Sequence, residues 1–191
     1  MTTYLLHGGM LKDKNASNEA YFRRIVRGVP DGGTVLIVLF AATEDRWPEL
    51  FEELKGAMEA QTEGKPLQFV CATKKRFVEE AKHADAIVIR GGSTDRLLDA
   101  LRSYDDLGRV FAGKLVGGSS AGAYAIAAYN YDRSARECRA GFGLLPLRVI
   151  CHYESPTSDG AGPEAVEIMN GDHADLPLLL LHDCEWKEYT V

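Results

Sequence analysis

The chain reads as an α/β protein built on a doubly wound, mostly parallel sheet with helices on both faces. Three observations predict this. Short apolar runs alternate with helical patterns along most of the 191 residues. The runs Thr34 to Phe40 and Ala86 to Ile89 are continuously apolar, as in strands buried on both faces. Runs also end in glycine turns, at Gly8-Gly9, Gly91-Gly92 and Gly117 to Gly122, and in such sheets ligands bind beyond the carboxyl ends of the strands.

In order, Thr3 to Leu6 is the first strand and Asn18 to Val29 a helix with apolar residues three to four apart. Thr34 to Phe40 is a strand, Trp47 to Ala60 an amphipathic helix and Leu67 to Cys71 a strand. Arg76 to His83 is a short helix, Ala86 to Ile89 a buried strand and Asp95 to Ser103 a helix. Lys114-Leu115-Val116 leads into the glycine-rich turn, and Tyr124 to Tyr129 has a helical pattern. Leu144 to Ile150 and Leu176 to Leu181 read as strands, with a helix near Pro163 to Met169 between them. Eight residues follow Asp183, and Trp186 to Val191 reads as one last edge strand.

Composition excludes several classes. Hydrophobic content of 46% and charged content of 26% fit one soluble domain, 1–191. A net charge of −6 opposes binding to nucleic acid or anionic membranes, and no run of about 18 apolar residues suggests a membrane span. The basic clusters Arg23-Arg24 and Lys74-Lys75-Arg76 read as solvated helix faces, and the N-terminus lacks the basic and apolar regions of a signal peptide. Cys71, Cys138, Cys151 and Cys184 are scattered without a CxxC pair, which points to reduced thiols and a cytoplasmic protein.

The chemistry centres on Gly118-Ser119-Ser120-Ala121-Gly122. A serine between small residues on a strand-to-helix turn has the layout of a nucleophile elbow. The middle serine of Gly-x-Ser-x-Gly is Ser120, so Ser120 rather than Ser119 is the candidate nucleophile. Glycine-rich turns also bind phosphate or simply pack tightly, so a base and an acid are needed. Of five histidines, His152 ranks ahead of His182 and His7, because it sits just past an apolar run in Cys151-His152-Tyr153-Glu154. His83 and His173 read as surface residues. Asp183, at a strand end, is the candidate acid, with Asp132, Glu154 and Asp159 as rivals. The order Ser120, His152, Asp183 is not the serine–acid–histidine order of α/β-hydrolases. For an oxyanion hole the candidate donors are the Ala121 N–H and one from Gly91-Gly92, whose spacing is not a dinucleotide fingerprint. Ser155 to Pro163, rich in Ser, Gly and Pro, reads as a surface loop, with a lid over the site as the alternative.

These pieces resemble peptidase family S51, which contains aspartyl dipeptidase (peptidase E) and cyanophycinase. Ile89-Arg90-Gly91-Gly92-Ser93-Thr94, the Ser120 elbow, Gly141-Phe142-Gly143-Leu144-Leu145-Pro146, Cys151-His152-Tyr153 and Leu181-His182-Asp183 occur in the family's order, from about Leu36 onward. The resemblance implies a class I glutamine amidotransferase-like fold with serine in place of cysteine. It implies Ser120 as nucleophile, His152 as base, Gly92 and Ala121 as oxyanion donors, and an acid where Asp183 stands. Hydrolysis after an N-terminal aspartate in a very short peptide is the implied activity, with no metal or organic cofactor. No basic residue matches an aspartate pocket, and Arg90, Arg96 and Arg148 are candidates by type. The alternatives are cleavage of β-Asp-Arg peptides, a cysteine hydrolase, and a non-catalytic binding module of the same fold.

Overall fold

The computed structural model describes residues 1–157 and 160–191. Its first sheet takes in strands β1 (Thr3–His7), β2 (Thr34–Val38), β3 (Gln68–Cys71), β4 (Ala86–Ile89) and β5 (Leu115–Ser119). A second sheet holds β6 (Ala127–Asp132), β7 (Glu137–Ala140), β8 (Leu145–Ile150) and β9 (Leu178–Leu180), and β10 (Trp186–Thr190) returns to the first. The first sheet runs β10-β1-β5-β4-β2-β3, parallel except for β10, which pairs antiparallel with β1.

Helices α1 (Ala16–Gly28), α2 (Trp47–Glu59), α3 (Phe77–His83) and α4 (Thr94–Arg102) connect the parallel strands, with α5 (Leu107–Phe111) leading into β5. Asn15 starts α1 by accepting a hydrogen bond from the Asn18 N–H, and Ser93 does the same for α4 from Arg96. Alternate residues of each strand reach opposite faces. Val35, Ile37 and Leu39 pack with Tyr21, Ile25 and Leu54 under α1 and α2. Leu36, Val38 and Phe40 pack with Phe77, Leu98 and Phe111 under α3, α4 and α5. Full burial of each such side chain stabilises the fold by roughly 1.5–3 kcal/mol.

Three expectations are corrected. The helical pattern from Tyr124 to Tyr129 divides: helix α6 is Ala121–Ile126, and Ala127–Asp132 is strand β6. The N–H groups of Phe142 and Gly143 donate to the carbonyls of Ala125 and Ala127, so the helix end is met by another segment rather than continued. Second, β8 and β9 do not join the main sheet. They lie parallel to β6 in the second sheet, with β7 antiparallel at its edge and α7 (Pro163–Gly171) packed against it. The basic run Lys74 to Arg76 forms a turn before α3, not a helix face.

Candidate active site

Strand β5 lies between β1 and β4, in a register that sets Ser119 beside His7 and Gly118 beside Ile89. The carboxyl ends of all three strands are therefore neighbours. They carry Gly8-Gly9, Ser120 and Arg90-Gly91-Gly92. Ser120 has φ 49° and ψ −110°, a backbone region that ordinary residues avoid, and its N–H donates to the His7 carbonyl at 2.9 Å. The turn needs helix α6 close to the sheet. A Cβ on Gly122 would come within 2.5 Å of the Ile89 carbonyl oxygen, so no larger residue fits. The Gly91-Gly92 turn lies against the elbow, since a Cβ on Gly91 would meet Ser120 Cβ at 3.0 Å.

His152 and Asp183 follow β8 and β9, yet both reach this point. His152 Nε2 is 3.1 Å from Ser120 Oγ, and its Nδ1 is 2.6 Å from Asp183 Oδ1. A carboxylate only accepts, so Nδ1 carries the proton and Nε2 presents its lone pair to the serine hydroxyl. Asp183 Oδ2 accepts a second hydrogen bond from Ser155 Oγ, at 2.5 Å. His152 itself has φ 55°, and its ring packs on Gly9, where a Cβ would sit 2.0 Å from Cε1.

The rival residues go elsewhere. His182 is exposed and meets Tyr153 edge-on, His83 pairs with Glu79 on the surface, and His173 stacks on Tyr129. His7 is near the site but fully buried beneath it. Burial lowers its pKa to about 4, partly offset by its hydrogen bond to Asn18. Asp132 is taken up by Ser134 and Arg139, and Glu154 is exposed. Asp159 lies outside the described residues. Ser119 turns its hydroxyl toward His7 Nδ1, 3.4 Å away, rather than toward His152.

Cys151 is buried under the elbow with Sγ 3.9 Å from the carbonyl oxygens of His7 and Ser120, and burial pushes its thiol pKa up. His152, just beyond the end of β8, has a left-handed backbone, and its ring rather than the neighbouring Cys151 thiol meets the Ser120 hydroxyl. Among the described residues no group of His, Cys, Asp and Glu is arranged to hold a metal.

Ser120 and His152 open into a cleft of about 540 Å³ whose far wall comes from β6 and its turn into β7. Of the three arginines singled out by type, Arg90 lines this cleft and pairs with Glu53. Arg96 donates to the Ala41 carbonyl instead. Arg148 is buried and serves the carbonyls of Met169, Asp172 and Leu176 around α7. Three cations of the cleft were not anticipated: Lys12, Arg133 and Arg139. Arg139 bridges Asp95 and Asp132, a union of α4, β6 and β7 that no local pattern announces. The Ser155 contact with Asp183 was equally hidden, although Ser155 stands only three residues after His152.

The chain is thus an α/β protein in which Ser120, His152 and Asp183 meet just past the carboxyl ends of its strands, and solved structures share its fold. A crystal structure of a peptidase from an acI-B1 Actinobacterium superposes with a TM-score of 0.70 at 21% identity, covering 99% of this chain and 83% of that one. A protein from Listeria monocytogenes EGD-e, described as a candidate peptidase E, gives 0.65 at 16% identity, covering 100% and 99%. No curated protein matches the sequence significantly. The family model for peptidase family S51 matches residues 4–186, and the chain belongs to that family. The match begins well before Leu36, taking in β1 and the Gly8-Gly9 turn. Family membership supports a peptidase.

Proposed function

We propose that the chain is a serine peptidase of the cytoplasm that cleaves very short peptides after an N-terminal aspartate. The observation that carries this reading is the unbroken chain of contacts Ser120–His152–Asp183, of which Ser120 and His152 line an open cleft. His152 Nε2 takes the proton from Ser120 Oγ as that oxygen bonds to the scissile carbonyl carbon. The N–H groups of Gly92 and Ala121 hold the tetrahedral oxyanion. His152 then gives its proton to the leaving amine as the C–N bond breaks. Water attacks the acyl-enzyme and loses a proton to His152, which returns it to Ser120 as the ester bond opens. Asp183 keeps His152 in the tautomer this requires, and Ser155 keeps Asp183 aimed at it.

The cations Lys12 and Arg90 suit a substrate carrying carboxylates, and the four free thiols suit a reducing compartment. One observation favours a second reading. Asp95 and Asp132, which share Arg139, also line the cleft, and the guanidinium of a β-Asp-Arg unit would suit them in its place, as in cyanophycinase-like cleavage. Hydrolysis of Asp-Leu and of β-Asp-Arg by the wild type and by Ser120→Ala tests both. We expect Asp-Leu to be the better substrate and Ser120→Ala to lose about three to six orders of magnitude in kcat. Faster turnover of β-Asp-Arg would move the specificity. Absence of turnover together with no phosphonate labelling of Ser120 would leave a binding module of the same fold.

A further inference from the structure

The Gly8-Gly9 turn is a hub whose backbone polar groups hold the segments bearing the base and the acid. Gly8 O accepts from the His152 N–H at 3.1 Å, and Gly8 N–H donates to Glu185 O at 2.8 Å. Gly9 O accepts from the Cys184 N–H, next to Asp183, at 3.1 Å. The fourth group, Gly9 N–H, donates to a side chain, His7 Nδ1, at 3.0 Å.

The tautomer of His7 follows from its partners. An amide N–H only donates, so Nδ1 must be bare and the proton must sit on Nε2. Nε2 faces Asn18 Oδ1 at 2.8 Å. The Asn18 amide is itself oriented, because its Nδ2 donates to the carbonyls of Met10 and Asp13 at 2.9 and 2.7 Å. Helix α1, the loop before it and the hub are thus wired through one imidazole. Ser17, also on α1, donates to the Cys184 carbonyl at 2.6 Å and ties the acid's segment to the same helix.

We propose that His7 is a positioning residue for the Ser120–His152–Asp183 site, acting through the Gly9 amide that its Nδ1 fixes. The inference rests on the reading of Ser120 as nucleophile and His152 as base. The His152 ring lies directly on Gly9, so a shift of the turn displaces the ring from Ser120. Misplacement of a reacting group by about 1 Å costs on the order of 100-fold in rate.

Two substitutions separate the halves of the imidazole. The carboxamide oxygen of His7→Asn falls near Nδ1 and can still accept from Gly9. The carboxamide of His7→Gln reaches the Nε2 position, serving Asn18 and leaving the Gly9 amide bare. The readout is the labelling rate of Ser120 by a fluorophosphonate, with kcat and KM for the preferred peptide and with melting temperature beside them. We expect His7→Asn to stay within about threefold of wild type, and His7→Gln to lose about 30- to 100-fold in labelling and kcat with KM little changed. A purely structural role would instead order the variants by melting temperature. His7→Gln labelling as fast as His7→Asn, or a loss carried by KM, overturns the proposal. Wild-type Ser120 that takes no label overturns both this proposal and the nucleophile reading. Labelled wild type with equally labelled His7→Gln overturns the role of His7 alone. Should the variants fail to fold, 15N shifts of the His7 ring in the wild type decide: a bare Nδ1 with protonated Nε2 supports the proposal, and a protonated Nδ1 overturns it.

Discussion

Ser120, His152 and Asp183 each stand in a short segment just past a strand end, and each depends on neighbours chosen for size or polarity. His152 is the residue whose loss should resemble that of the nucleophile. We expect His152→Ala to lower kcat on the preferred peptide by about three orders of magnitude or more. A loss below tenfold would take the base role from His152. Cys151 is the opposite case. It adjoins His152 in sequence but is packed under the elbow, with a thiol that burial disfavours as thiolate. Cys151→Ala should therefore keep kcat within about tenfold, the remaining loss coming from the small void left under Ser120. Inactivation by that change, in folded protein, would revive the cysteine alternative.

At the scale of elements, the elbow works because α6 can approach the sheet. Gly122 faces the Ile89 backbone, which cannot move aside as a flexible side chain would. Gly122→Ala should lower the unfolding free energy by about 1–3 kcal/mol and slow catalysis, as urea unfolding and kcat would record. Gly56, in the middle of α2, has nothing within 4 Å of its would-be Cβ. Gly56→Ala should therefore stabilise by about 0.5–1 kcal/mol with activity unchanged. Equal effects of the two substitutions would refute the close-approach account. Amphipathic spacing made α1, α2 and α4 readable in the sequence, because each packs one apolar stripe on the sheet. The break between α6 and β6 was not readable. Ala125 to Ala128 suits a helix locally, and only the carbonyl-capping segment Phe142-Gly143 ends it.

For the molecule as a whole, the buried His7 links global stability to pH. Its folded pKa of about 4 lies below the ordinary 6.5, so the unfolded chain binds the extra proton between those values. Stability from this group is complete above pH 6.5 and is lost as pH falls toward 4, by up to about 3 kcal/mol. His7→Asn has no such group to titrate. Thermal melts from pH 7 to 4 should show the wild type losing more stability than His7→Asn, and parallel curves would refute the linkage. The Gly8-Gly9 hub also joins the sheets: it follows β1 of the first and bonds to His152, beyond β8 of the second. Strand β10 pairs along β1 from three residues beyond Asp183, so Asp183 is held between two anchored strands, β9 and β10.

The layered α/β class was legible in the sequence, because strands buried on both faces must be continuously apolar and helices packed on one side must be amphipathic. The sequence also marked Ser120, since a serine between small residues on a strand-to-helix turn leaves a local signature. That a second sheet brings His152 and Asp183 to Ser120 emerges only from the packed fold. His152 and Asp183 lie 32 and 31 residues from their partners along the chain, and their separations of 3.1 and 2.6 Å depend on the docking of two sheets. Nor does any local pattern tell the buried His7 from an exposed histidine, or show that Arg139 is shared by two carboxylates. Such facts arise from contacts distant in sequence, which periodicity and turn chemistry do not encode.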